Sequence, residues 1–183
     1  MSIDAAVPSS LSKRLPGRKY DRQFFLATVL LLVAVVAIGF GPTYYLAGVF
    51  RAPLPSPIMH IHGAVFSTWM LLLVVQTGLI SAKRVGWHRN LGVAGFVVAC
   101  VMVVMALLTA ANLATRLKAV PNSEPILSFL VVPFVDAFDF AVLVGFAYAL
   151  RKNAAAHKRL ISIATAGITG AAFFRWHITF LFS

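Results

Sequence analysis

Five apolar runs, each of 20 or more residues, leave this chain few ways to fold: roughly 24–46, 58–82, 88–112, 127–150 and 158–182. About 20 apolar residues suffice to cross the hydrocarbon core of a bilayer as one helix. Lipid offers no hydrogen bonds, so a segment inside it must satisfy its own backbone polar groups. The fold class that follows is all-α, a polytopic membrane helical bundle of about five transmembrane helices. Charge supports it: only 11% of the 183 residues are charged and 60% are hydrophobic, whereas soluble domains carry roughly 25% charged residues.

The basic residues set an orientation. Lys13, Arg14, Arg18, Lys19 and Arg22 precede the first run, Lys83, Arg84 and Arg89 fall between the second and third, and Arg151, Lys152, Lys158 and Arg159 lie between the fourth and fifth. The other two loops hold Arg51, Arg116 and Lys118, with Glu124 offsetting one. Basic residues concentrate in short cytoplasmic loops, so the N-terminus is expected in the cytoplasm and the C-terminus outside, in a bacterial cytoplasmic (inner) membrane. Residues 1–22 are expected to form a disordered basic tail and 23–183 the bundle. The first run exceeds the 7–15 residues of a secretory signal core, which favours an uncleaved span. The net charge of +11 is thereby spent on topology. No basic patch is interleaved with base-stacking aromatics, so no nucleic-acid partner is expected.

Local residues refine the spans. Gly39, Gly41 and Pro42 interrupt the end of the first, and Tyr44, Tyr45 and Phe50 follow where an outer aromatic belt belongs. Gly92, Gly95 and Ala99 in the third span, and Ala164, Ala166, Gly167, Gly170 and Ala171 in the fifth, are spaced for close helix packing. The single cysteine, Cys100, is expected to be a small buried hydrophobe. Trp87-His88-Arg89-Asn90-Leu91 and Ala156-His157-Lys158-Arg159-Leu160 open the third and fifth spans alike, a weak internal repeat.

Ionisable groups at membrane depth cost about 2.5–3.5 kcal/mol or more and so point to function. His60 and His62 sit near the outer end of the second span, about 200° apart around a helix. His62, Trp69 and Gln76 are spaced by seven, and theirs is the expected interior face. Met59, His60 and His62 together offer a soft and borderline ligand set suited to copper. His88 and His157 lie at similar depth at the starts of their spans, either as a ligand pair or as snorkelling basic residues. Arg175 and His177 lie near the outer end of the fifth span, Arg175 five full turns after His157. Asp136 and Asp139, three apart and expected roughly 15–20 Å into the fourth span, suggest a proton relay or helix-joining hydrogen bonds. No nucleophile elbow, phosphate loop, dinucleotide fingerprint or HExxH motif is present, which removes any basis for hydrolase or kinase chemistry.

Three segments carry a resemblance: His60-Ile61-His62-Gly63, His88-Arg89-Asn90-Leu91-Gly92 and His157-Lys158-Arg159-Leu160. Over residues 40–182 the chain resembles poorly characterised bacterial multi-span membrane proteins with histidines at helix ends. More distantly it resembles the transmembrane b-type cytochromes, in which a four-helix core holds two haems at two depths. The resemblance implies haem b, held on the cytoplasmic side by His88 and His157, and on the outer side by His62 (or His60) with His177. Arg175 would meet a haem propionate. The expected function is electron transfer with quinol or a respiratory protein, within the lipid bilayer and in a possible homo-oligomer. Two other expectations stand beside it: a copper-handling or oxidase-assembly protein on Met59, His60 and His62, and a small proton-coupled transporter on Asp136 and Asp139.

Overall fold

The computed structural model describes residues 17–53, 55–118, 120 and 128–181. Among them every regular element is a helix. These are α1 (Gly17–Phe40), continued by a π-helical turn (Gly41–Tyr45), α2 (Pro57–Ser81), α3 (Val85–Leu117), α4 (Val131–Ala149), α5 (Ala154–Ile168) and α6 (Gly170–Leu181). Four stretches are long and apolar enough to cross a membrane: Gln23–Tyr45, α2, α3 and α4. The surface is that of a membrane protein. Large apolar side chains such as Phe138, Leu71 and Leu31 are 68%, 65% and 64% exposed, far more outward apolar surface than a water-soluble monomer carries.

Two expectations about the ends of the bundle change. Helix α1 begins at Gly17, so residues 17–22, assigned by sequence to a disordered tail, are helical in backbone. The rest of that tail lies outside the described residues. The fifth apolar run is not one helix. It is divided at Thr169 into α5, of 15 residues, and α6, of 12, each short of a full span. Thr169 itself supplies the cause. Its hydroxyl and its N–H both bond back to the Ala166 carbonyl, at 2.7 and 3.2 Å, and this three-residue closure tightens the turn.

Consecutive helices pack as neighbours, α2 on α3, α3 on α4 and α4 on α5, while α1 lies against α2, α5 and α6. The centre is one cluster formed by Leu32, Trp69, Met70, Ala99, Met102, Phe140, Val144 and Ala164. Trp69 ties it together: its indole N–H donates to Thr165 Oγ1 at 3.2 Å and its ring meets Phe140 edge to face at 5.3 Å. A buried Trp needs such a partner for its single donor.

Of the small residues spaced for close packing, Ala99 and Ala164 do lie in the central cluster, but the glycines among them are not at a close backbone approach. A Cβ on Gly167, Gly170 or Gly95 would meet nothing within 4 Å. A Cβ on Gly39 would stand 2.5 Å from the Ala172 backbone oxygen, so α1 and α6 touch backbone to backbone there. Cys100 also departs from expectation, because it is exposed on the outer face of α3.

At the π-turn, Pro42 has no N–H to continue the helical ladder, and the Leu46 N–H reaches five residues back to the Gly41 carbonyl at 2.8 Å. Tyr44 and Tyr45 are thereby aimed at α2. Tyr44 donates to the His60 carbonyl at 3.1 Å, and Tyr45 donates to Ser67 Oγ at 2.7 Å, which in turn donates to the Gly63 carbonyl. Gly63 has to be glycine, since a Cβ would lie 2.6 Å from the Tyr44 ring.

The basic loops share one end of the bundle. After α2, Lys83 takes a left-handed conformation (φ 59°), with Lys83 N–H on the Ile80 carbonyl and Arg84 N–H on the Leu79 carbonyl, the two bonds of a Schellman ending. Before α5, Asn153 Oδ1 accepts from the N–H groups of Ala155 and Ala156, both at 3.2 Å, an N-cap that fixes where α5 starts.

Candidate functional site

The two basic loops place two imidazoles at one level. His88 is the fourth residue of α3 and His157 the fourth of α5. Although α3 and α5 are separated in sequence by all of α4, the two rings are neighbours, with centroids 6.3 Å apart and planes nearly perpendicular at 81°. The sequence similarity between the two helix starts therefore corresponds to a spatial pair. Both rings are partly buried.

Each ring is held on its Nδ1 side. His157 Nδ1–H donates to the Ala147 carbonyl of α4 at 2.8 Å. With the proton fixed there, the neutral ring carries its lone pair on Nε2. His88 Nδ1 is met by Gln76 of α2. The amide orientation that satisfies every neighbour has the Gln76 nitrogen donating to His88 Nδ1 at 2.6 Å and to the His88 carbonyl at 3.2 Å, and the Gln76 oxygen accepting from Gly92 N–H at 3.0 Å. Arg151 lies close in sequence on the loop after α4, its guanidinium 4.4 Å from the Tyr148 ring centre and bonded to the Tyr148 carbonyl. Tyr148 in turn stacks on Phe96 of α3 at 4.3 Å. Lys158, beside His157, lies over the Phe25 ring of α1 at 4.5 Å.

At the opposite end the other candidates are distributed differently. His62 and His60 are turned apart, as their spacing requires. His60 is exposed beside the Tyr44 ring, at 5.7 Å. His62 is half-buried and stacks on Phe66 at 4.2 Å, with Nδ1 at a long 3.4 Å from Thr109 Oγ1 of α3. The interior face is thus the one carrying His62, Trp69 and Gln76. The ligand set Met59, His60 and His62 is not assembled by this arrangement, and among the described residues no group of three or more His, Cys, Asp and Glu side chains converges as a metal site.

His62 instead lines a half-open cavity of about 190 Å3 bordered by α2, α3, α4 and the α5–α6 junction. Asp136 lines it from α4 and Thr109 from α3, and the other walls are apolar, including Phe66, Phe140 and Pro133. His62 and Asp136 are each five residues beyond the start of their helices, which puts both about 8 Å in. The figure of roughly 15–20 Å counts from the beginning of the apolar run, whereas this distance along the helix counts from Val131, where the continuous helix α4 starts. The two aspartates also part company. Asp136 is half-buried against the cavity, whereas Asp139 is exposed. Three residues on a helix subtend about 300°, and the 60° that remains is enough to carry Asp139 past the edge of the wall.

Arg175 lies in α6, beyond the break at Thr169 that separates it from His157 in α5. Its guanidinium sits 4.3 Å from the Phe40 ring centre, toward α1. His177 lies in α6, and its side chain falls outside the described residues, so the outer histidine pair has one described member.

Gln76 is the functional candidate that residue type alone does not mark. Its signal in the sequence is positional: it is a polar residue in register with His62 and Trp69 on the interior face of an otherwise apolar span. No family model, curated protein or solved structure matches this chain, so the site is read from its own geometry.

Proposed function

We propose that this chain is an integral membrane redox protein that holds one haem b between His88 and His157 at the basic end of the bundle. The observation that carries this reading is the pair itself. The rings of His88 and His157, on separate helices, are 6.3 Å apart, close enough that both could hold one haem iron. The His157 hydrogen bond to Ala147 is of the kind that orients a ligating histidine and raises its basicity. The donor set, two imidazoles on separate helices, suits a bis-histidine iron that exchanges electrons without binding oxygen. When bound, haem b would supply one-electron chemistry; the chain's own part is to hold its two ligands at this spacing. Lys83, Arg84, Arg89, Lys158 and Arg159 lie within a few residues of the pair along the chain, where propionates would need positive charge. In this reading the basic end faces the cytoplasm of a bacterial inner membrane, and the electron partner is a quinol or a respiratory protein.

The test is an optical spectrum of the purified, haem-reconstituted protein before and after dithionite. A reducible low-spin spectrum is expected, lost in both His88→Ala and His157→Ala and kept in His60→Ala. Absence of reducible visible absorbance in the parent, or its persistence in both single variants, would rule the assignment out.

A second reading is favoured by the cavity. His62 and Asp136, two groups able to exchange protons, share a half-open, largely apolar hollow at the end away from the basic loops, which supports proton movement through that half of the bundle. Copper handling through Met59, His60 and His62 has no comparable support, since the two imidazoles point into different surroundings.

A further inference from the structure

The environment of His88 contains a conflict with ligation. A neutral imidazole has one N–H and one lone pair. In the orientation that satisfies all its neighbours, the Gln76 amide puts a donor on His88 Nδ1 at 2.6 Å. Nδ1 must then accept, and the ring proton must sit on Nε2. His157 is set the opposite way, with its proton on Nδ1 and its lone pair on Nε2. The resting pair is therefore unlike: one ring has a lone pair at Nε2 and the other has a proton there. A metal held between the two rings needs Nε2 lone pairs from both.

What fixes the Gln76 amide is one turn of α3. Its nitrogen meets the His88 carbonyl and its oxygen meets the Gly92 N–H, the two backbone groups that an α-helix normally joins to each other. Rotating the amide by 180° would place its oxygen on Nδ1, ready to accept a proton there. The same rotation would face oxygen against the His88 carbonyl and nitrogen against the Gly92 N–H, giving up both backbone contacts. The amide thus has two arrangements, each matched to one tautomer of His88.

We propose that Gln76 is a positioning residue for the histidine pair: its amide holds His88 in the non-ligating Nε2–H tautomer and turns over when His88 takes up its metal. The ring proton is conserved in this exchange, leaving Nε2 and arriving at Nδ1, where the turned amide oxygen accepts it. The proposal rests on the reading of His88 and His157 as ligands, but its first measurement does not. In the protein without haem, 15N shifts of labelled histidine in detergent should report His88 as the Nε2–H tautomer and His157 as Nδ1–H. In Gln76→Glu, a carboxylate accepts from both Nδ1–H and Gly92 N–H, so His88 should change to Nδ1–H. Finding His88 already Nδ1–H in the parent, or unchanged in Gln76→Glu, would overturn the assignment.

The second measurement uses haem. Gln76→Leu removes both the contacts that hold the non-ligating tautomer and the acceptor for Nδ1–H, and should change haem affinity about 10–100-fold, the size of effect an outer partner of a ligating histidine usually has. Gln76→Glu needs no rotation and should bind haem more tightly than the parent, with a lower reduction potential, because a carboxylate makes the imidazole a stronger donor. A purely structural glutamine would lower the melting temperature of the Leu variant while leaving affinity and potential at parental values, and that result would reject the proposal. Failure of the parent to bind haem at all would reject the ligand reading and leave the tautomer measurement to judge Gln76.

Discussion

Residue by residue, the ionisable side chains of the spans sort into different fates that the sequence alone presents as equals. Asp136 and Asp139 show this most clearly. They share a helix and a spacing that suggests one face, yet Asp136 borders the cavity beside His62 and Thr109 and Asp139 is exposed. Their Asn variants should therefore differ. Asp139→Asn changes an exposed side chain and should shift stability by no more than about 0.5 kcal/mol, as outward substitutions generally do. Asp136→Asn alters one of the three polar groups of an otherwise apolar cavity and should change thermal stability in detergent measurably. Equal melting curves for the two variants would mean that the cavity places no demand on its carboxyl group. His60 and His62 show the same sorting. Their 200° separation was legible from spacing alone, and the interior choice followed from the register with Trp69 and Gln76. What spacing cannot supply is the partner across the interface: Thr109 for His62 or Ala147 for His157 depends on how α3 and α4 are rotated.

Among the elements, helix existence was written in the apolar runs, because lipid forces each such run to close its own hydrogen bonds. Helix contacts were not. The motif of small residues drew attention to Gly92, Gly95, Gly167 and Gly170, whereas the tight approach is between Gly39 and Ala172. A small residue permits close packing without requiring it, and only the path of α1 across α6 decides where the backbones meet. The interruption at Thr169 was equally hidden, since hydropathy is uniform across it and its cause is one hydroxyl bonding back to Ala166. A pair of substitutions separates these glycines. Gly39→Ala forces a methyl into the Ala172 carbonyl and should destabilise by about 1–3 kcal/mol, the usual cost of overpacking. Gly95→Ala meets open space and should stabilise by roughly 0.5–1 kcal/mol through helix propensity alone. Thermal unfolding in detergent reads both, and a Gly39→Ala protein as stable as the parent would show that α1 can move off α6 without loss.

For the whole molecule, the charge pattern and the helix order agree on one arrangement. Among the described residues, the loops after α2 and after α4 carry Lys83, Arg84, Arg151 and Lys152, and the histidine pair lies just inside them. The other end carries Arg51 and the aromatic side chains of Tyr44 and Tyr45. Positive charge in short loops is retained in the cytoplasm during insertion, so the basic end is expected there. Two helix ends, α2 into α3 and α4 into α5, must then face the cytoplasm, and the interrupted α5–α6 run must end on the far side if it crosses. Fusions read this directly. A reporter active only in the cytoplasm should work after Lys152 and fail after Ser183, and a reporter active only outside should show the reverse. The interruption at Thr169 adds a condition, because neither α5 nor α6 spans alone. Activity of the cytoplasmic reporter at both positions would mean that the α5–α6 pair enters the bilayer and returns, turning at Thr169. The histidine pair would keep its side of the membrane in that case, since α3 and the start of α5 are fixed by the loops before them. Only a working outside reporter after Lys152 would move it, and that outcome would place the most basic part of the chain against the charge rule.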